Sequence, residues 1–193
     1  MKIGIYGGSF NPPHLGHLIV VESVQDQLQF DKIFFVPASV PPHKIDRTLA
    51  PASDRLEMLK LALKGHPVFA GSDIELSRRG YSYTVDTLQQ FRLLYPSAEF
   101  SIVIGADNFL EIDTWKAVDE IMDNAGLVVM NRPAYAPGTL KSRFDRFARF
   151  VQVPSIGISS TDIRLRIKQG RSIRYLVPKD VEQYIYSKAL YRE

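Results

Sequence analysis

The chain has 193 residues, 45% of them apolar and 23% charged, and its 24 Lys plus Arg against 21 Asp plus Glu leave a formal charge of +3. This composition supplies a full apolar core and excludes wholesale disorder. The aliphatic runs at 18–21 and 127–130 fall far short of the ~18–20 residues of a bilayer span, and the absence of cysteine excludes disulfides, thiolate metal sites and cysteine nucleophiles. The N-terminus enters Lys2-Ile3-Gly4-Ile5-Tyr6 directly rather than through a basic and apolar leader, so cytoplasmic residence is expected. The charge is too small to argue for nucleic acid and suits small anionic substrates.

Short β-branched and aromatic runs at 2–6, 32–36, 68–71, 100–104, 126–130 and 150–153 read as strands. Between and after them, 16–29, 53–64, 84–94, 140–147, 160–168 and 179–188 carry helical spacing, the last opened by Pro178. Strands apolar on both alternating positions are buried on both faces, as parallel strands are when helices cover the sheet. The expectation is an α/β fold, a doubly wound Rossmann-like parallel sheet with helices on both faces. One domain over 1–193 is expected, with a small helical C-terminal part over about 154–193. A ligand crevice would lie beyond the carboxyl ends of the strands, at the loops after Tyr6, Val36 and Ile104.

The first of these loops reads Gly7-Gly8-Ser9-Phe10-Asn11-Pro12-Pro13-His14-Leu15-Gly16-His17, followed by a helix. Adjacent glycines allow close backbone approach, and a helix N-terminus offers free N–H groups and a positive dipole end, a combination suited to phosphate. The loop is neither GxGxxG nor GxxxxGK[ST], so a hydride enzyme and a P-loop ATPase are not the first choice. His14 and His17, three residues apart, share a face and can donate hydrogen bonds to an anionic transition state. Two blander readings stand beside this one: His14 capping the turn while His17 packs, and a metal site lacking a third nearby ligand.

A second signal is Gly157-Ile158-Ser159-Ser160-Thr161-Asp162-Ile163-Arg164, where a serine makes a good N-cap and Asp162 complements the dipole. Arg164 in the first turn opposes that dipole by a few tenths of a kcal/mol (~0.3 or more). An anion at this point would account for it.

These residues carry a resemblance. The loop GGSFNPPHLGH resembles the (H/T)xGH signature of the nucleotidyltransferase superfamily, and ISSTDIR resembles its second motif. Further matches are PPHK at 41–44, DIELSRRGYSYTVDTL at 73–88, IGADN at 104–108, Trp115 and NRP at 131–133. Together they are similar to bacterial nicotinate mononucleotide adenylyltransferases over nearly the whole chain. One departure is Asn11, where the family often has Asp; both are short acceptors, and little change is expected.

The resemblance implies transfer of AMP from ATP to nicotinate mononucleotide, giving nicotinate adenine dinucleotide and pyrophosphate in NAD biosynthesis. His14, His17 and Arg164 would be catalytic, with His17 nearest the α-phosphate. Gly8, Ser9, Phe10, Gly105, Asp107, Ser159, Ser160 and Ile163 would bind ATP, and Mg2+ would ride on its phosphates. His43, Lys44, Tyr83, Thr84 and Trp115 would bind nicotinate mononucleotide: Lys44 its phosphate, Trp115 its ring, and Thr84 with nearby amides its carboxylate. No metal-ligating protein residue is implied. Rival readings are the same chemistry on nicotinamide mononucleotide or phosphopantetheine, and a non-catalytic nucleotide or RNA-binding module suggested by Arg164, Arg166, Lys168, Arg171 and Arg174. Neither a nucleic acid nor a membrane partner is expected, and association with further copies of the chain is left open. Which of Arg78 and Arg79 faces the site is also open, and 45–51 is expected to close on binding.

Overall fold

The computed structural model describes residues 1–39, 49–78, 80–131 and 143–192. Six strands, β1 (Lys2–Gly8), β2 (Lys32–Pro37), β3 (Phe69–Gly71), β4 (Glu99–Gly105), β5 (Gly126–Asn131) and β6 (Ala148–Gln152), form one sheet. Every pairing is parallel, in the order β3-β2-β1-β4-β5-β6. The order reverses between β1 and β4, so the crevice expected of such a sheet opens where Gly7, Gly8 and Gly105 end their strands. The sequence expectation of a doubly wound parallel α/β sheet holds.

The pleat divides each strand between two cores. Phe34 and Val36 of β2 join Ile3, Ile5, Ile102 and Ile104 on one face, under α3 (Thr84–Leu94) and α5 (Val118–Asn124). Ile33 and Phe35 join Val103 and Val128 on the other, under α1 (Leu15–Leu28) and α2 (Ala52–Leu63). Full burial of a side chain such as Phe35 contributes about 1.5–3 kcal/mol, and its ring is 0% exposed. A third cluster packs Ile163 and Ile167 of α6 (Ser160–Lys168) and Val181 and Ile185 of α7 (Lys179–Ser187) against Met58 on the outer side of α2. α6 is thereby carried back to the crevice.

Several elements differ from the sequence reading, among them a 3₁₀ turn at Ile112–Thr114 that was not expected. The short α4 (Ala106–Leu110) and α5 were not anticipated; their N-caps are Gly105 and Ala117, neither making a side-chain cap bond, so no start signal marks them. The helix expected over 140–147 is, in its described part, a turn followed by a single 3₁₀ turn at Asp145–Phe147. Phe144 and Phe147, three apart, both pack on the core and imitate the apolar spacing of an α-helix.

Candidate active site

The loop after β1 is built from the inside. Phe10, at φ 45, turns its ring into the core, 1% exposed, edge-on to Tyr6 and to His17 at centroid distances of 5.7 and 5.1 Å. That left-handed backbone is uncommon for an aromatic residue and marks a loop held by its surroundings. Asn11 is 1% exposed, and its Oδ1 accepts from the Ala50 N–H (3.0 Å) and the Tyr191 hydroxyl (2.8 Å). The acceptor function expected of this position is thus fulfilled by the amide oxygen. The Tyr191 link spans 180 residues, and burial raises the pKa of that phenol further, keeping it a donor.

His14 and His17 form a reciprocal cap at the start of α1. The His14 N–H donates to Nδ1 of His17 (3.1 Å), and the His17 N–H donates to Nδ1 of His14 (3.3 Å). With both Nδ1 atoms accepting, the proton of each neutral ring resides on Nε2. The rings stack at 3.6 Å. Burial lowers the pKa of His14 to about 4, and burial, then the neighbouring His14, lowers that of His17 well below its ordinary value. Both rings are therefore neutral at pH 7 and present Nε2–H donors. A Cβ on Gly16 would stand 3.0 Å from Nδ1 of His14, so glycine is what lets that ring fold over the helix start. The capping role weighed for His14 is realised, and it fixes the tautomer.

α6 docks on this loop. Ser159 caps it, its Oγ accepting from the Asp162 N–H at 3.1 Å; Ser160 Oγ donates to the Pro12 carbonyl (2.9 Å) and Arg164 Nη1 to the Asn11 carbonyl (2.9 Å). Arg164 is the fifth residue of α6, past the first turn where the sequence reading put it, and part of the reason for an arginine here is a backbone carbonyl of the facing loop. The Ile163 side chain is fully buried in the cluster with Met58, Ile167 and Val181, and its N–H donates to Ser159 O within the helix. Arg166 is taken up by Asp162 at 3.0 Å, so the basic run of this segment is not a continuous free stripe.

Across the crevice, a cleft of about 590 Å³ runs from Gly7, Gly8 and Ser9 past Ile104 to Tyr83, Thr84 and Trp115. Thr84 opens α3 after Tyr83, which makes no side-chain cap bond, so the first amides of this helix have no side-chain cap facing the cleft wall formed by Tyr83 and Thr84. Trp115 is half-buried against the core, and the Lys116 ammonium lies 4.5 Å above the Tyr83 ring. Beneath them, Thr87 donates to the buried Glu75 (2.6 Å) and accepts from Arg78 (2.6 Å). Burial raises the Glu75 pKa against the lowering effect of bonds from Thr87 and Ser82. Arg78 is therefore turned to Thr87. Asp107 is exposed in the first turn of α4, its carboxylate folded back where a Cβ on Gly105 would lie.

The structure brings together Gly8, Ser9, Phe10, His14, His17, Ser159, Ser160 and Arg164 on one side, and Tyr83, Thr84 and Trp115 on the other. His43, Lys44, Arg79, residues 45–48 and the Arg132-Pro133 part of NRP lie outside the described residues. Sequence reading missed Arg55, Glu75, Thr87 and Tyr191. Of these, Arg55 left a signal: with Met58, Leu59 and Leu63 it falls on the buried stripe of α2.

The Cytidylyltransferase-like family pattern matches residues 5–166. A protein of Thermus thermophilus named as a nicotinate-nucleotide adenylyltransferase is 45% identical over 196 residues, covering 100% of both chains. One of the same name from Desulfitobacterium hafniense is 41% identical over 198 residues, covering 99% of this chain and 96% of its own. Among solved structures, a Vibrio parahaemolyticus protein named as a nicotinate-nucleotide adenylyltransferase superposes with a TM-score of 0.74 at 26% identity, covering 100% of this chain and 96% of that one. The Plasmodium falciparum nicotinic acid mononucleotide adenylyltransferase complexed with NaAD has a TM-score of 0.77 at 21% identity, covering 98% and 97%, and speaks for the fold. With both signature loops meeting at one crevice and relatives matching from end to end, the chain belongs to the nicotinate-nucleotide adenylyltransferase family.

Proposed function

We propose that the chain transfers the AMP unit of ATP to nicotinate mononucleotide, releasing pyrophosphate. The observation that carries this reading is the reciprocal His14–His17 cap, which leaves two neutral Nε2–H donors at a helix N-terminus on which Ser160 and Arg164 converge. In the transfer, a 5′-phosphate oxygen of the acceptor attacks the α-phosphorus in line. The new O–P bond forms as the bond to the β-phosphate oxygen breaks, and the electron pair leaves with pyrophosphate. Such a reaction asks the protein for position and charge stabilisation and for no covalent intermediate.

In this reading His17 donates to the α-phosphate oxygen on which charge develops, and His14 donates beside it. Each such preorganised donor contributes about 2.7–4 kcal/mol to the transition state. Ser159, Ser160 and Arg164 hold the departing phosphates. Gly8, Ser9 and the Phe10 backbone, with Gly105 and Asp107, border the nucleoside. In the same reading ATP enters as its magnesium complex, because Mg2+ keeps several waters and is carried by substrate phosphates with few protein ligands.

The acceptor's carboxylate is received at the amides that open α3 and at Thr84, with its ring on Trp115 and Tyr83 alongside. N–H donors satisfy a carboxylate, whereas a carboxamide would set its own NH₂ against donors and leave both unpaired. Lys44, for the acceptor phosphate, and His43 remain part of the proposal on the sequence alone. Among the described residues no helix is long and apolar enough to cross a membrane; residence in the cytoplasm is part of the same proposal. The test uses ATP labelled at the α-phosphorus with magnesium and nicotinate mononucleotide. Label entering a dinucleotide in step with pyrophosphate release is the expected result. Pyrophosphate release without labelled dinucleotide, or no release, would overturn the assignment.

A further inference from the structure

Arg55 is a charged side chain in the wrong place for a solvated one. It lies on the buried stripe of α2, is 1% exposed, and is among the largest fully buried side chains of the protein. Its guanidinium donates from Nη1 to the carbonyls of Ser9 (2.9 Å) and Ala38 (2.7 Å), from Nη2 to that of Ser39 (3.4 Å), and from Nε to that of Ala50 (3.0 Å). No carboxylate lies within ion-pair distance among the described residues. A buried cation satisfied by carbonyl dipoles alone is costly to retain unless its geometry does something an apolar side chain could not.

What it does can be read from where those carbonyls lie. Ser9 belongs to the loop that carries His14 and His17. Ala38 and Ser39 leave β2 toward the acceptor side, and the Ser39 N–H donates to Ser82 Oγ (2.8 Å), whose hydroxyl bonds Glu75 under Thr87. Ala50 in turn donates its N–H to Asn11 Oδ1 (3.0 Å). One planar fork therefore ties the nucleotide side of the crevice to its acceptor side. Lysine could not replace it, since its three donors share one nitrogen, whereas these four carbonyls are reached from three nitrogens spread across a planar fork.

We propose that Arg55 is a positioning residue of the transfer reaction, fixing the distance between the histidine loop and the acceptor wall through the carbonyls of Ser9, Ala38 and Ser39. This rests on the adenylyl-transfer reading above. It touches neither substrate, so its loss lowers the rate at which correctly bound substrates react.

The test compares Arg55→Lys, which keeps the charge and loses the fork, with Leu28→Ala, a core truncation at the far end of α1 where Leu28 is 6% exposed. The expected result for Arg55→Lys is a fall in kcat of at least about tenfold with KM for ATP and for the acceptor within about threefold. Leu28→Ala, although less stable, keeps its kcat. A kcat for Arg55→Lys within threefold of wild type, or an equal loss in Leu28→Ala, overturns the proposal. A second readout is independent of the acceptor: the imidazole ¹⁵N signals of His14 and His17, which in the wild type are expected to show protonated Nε2 and bare Nδ1. In Arg55→Lys these signals change position as the loop after Ser9 loses its anchor, and unchanged signals overturn the proposal even if the wild type fails to use nicotinate mononucleotide.

Discussion

The two sides of the crevice are built differently. On the side proposed for the nucleotide, Phe10, Asn11 and His14 are 1%, 1% and 6% exposed, and the loop is bonded to α6, Tyr191, Ala50 and Arg55. On the side proposed for the acceptor, Tyr83, Thr84 and Trp115 are only half-buried around an open cleft, and the start of α3 has no side-chain cap. The contrast has a chemical meaning. Donors that meet developing charge must be fixed before the reaction, because reorganising them then would cost the stabilisation they supply. A surface that receives the acceptor needs only to be complementary once it is filled. Substitutions on the first side should therefore act on kcat, and those on the second on the acceptor's KM.

The largest expected effect is at His17. His17→Ala should lower kcat by about 100- to 1000-fold, ~3–4 kcal/mol of transition-state stabilisation, while calorimetric ATP affinity changes far less. Equal losses in affinity and turnover would make His17 a ground-state contact and erase the contrast. Next is the effect of pH on stability. Above the ordinary imidazole value of 6.5, His14 is neutral whether the chain is folded or unfolded, so it makes no difference. Between 6.5 and about 4 the unfolded chain takes up a proton that the folded His14 refuses. The share due to His14 is about 3 kcal/mol of stability, lost over that window and complete below it. Thermal unfolding of the wild type and His14→Asn from pH 7.5 to 4 measures it; an equally steep decline in the variant would place the cause elsewhere. Smaller still is Trp115→Ala, expected to raise the acceptor KM about tenfold, ~1–1.5 kcal/mol, with kcat little altered. A drop confined to kcat would move Trp115 to the chemical side of the comparison.

Much of this was legible in the sequence because its signals are local. β1, β2, β4 and β5 are apolar at both alternating positions, α6 begins at a serine cap, and α3 was bounded at its observed ends, Thr84–Leu94. The two signature loops were found by residue type and spacing. Elements with no local signature escaped: α4 and α5 are short and lack capping side chains, and the 3₁₀ turn at Asp145–Phe147 carries helix-like spacing. The ties between distant segments escaped for a related reason. Nothing around Tyr191 announces a hydroxyl bound for Asn11, and the Nε2–H tautomers follow only from bonds to two backbone amides. Arg55 lay between these cases, since its place on an apolar stripe was visible but its carbonyl partners were not.

The most direct test of the account is a parallel measurement of kcat/KM for nicotinate and nicotinamide mononucleotide with magnesium and ATP. Acid and amide differ only where the acceptor would meet the amides opening α3 and Thr84. Unpaired donors there cost about 1–3 kcal/mol, so the account predicts a preference for the nicotinate form of at least about tenfold. Equal use of both, or a preference for the amide, would contradict the assignment of that side of the crevice.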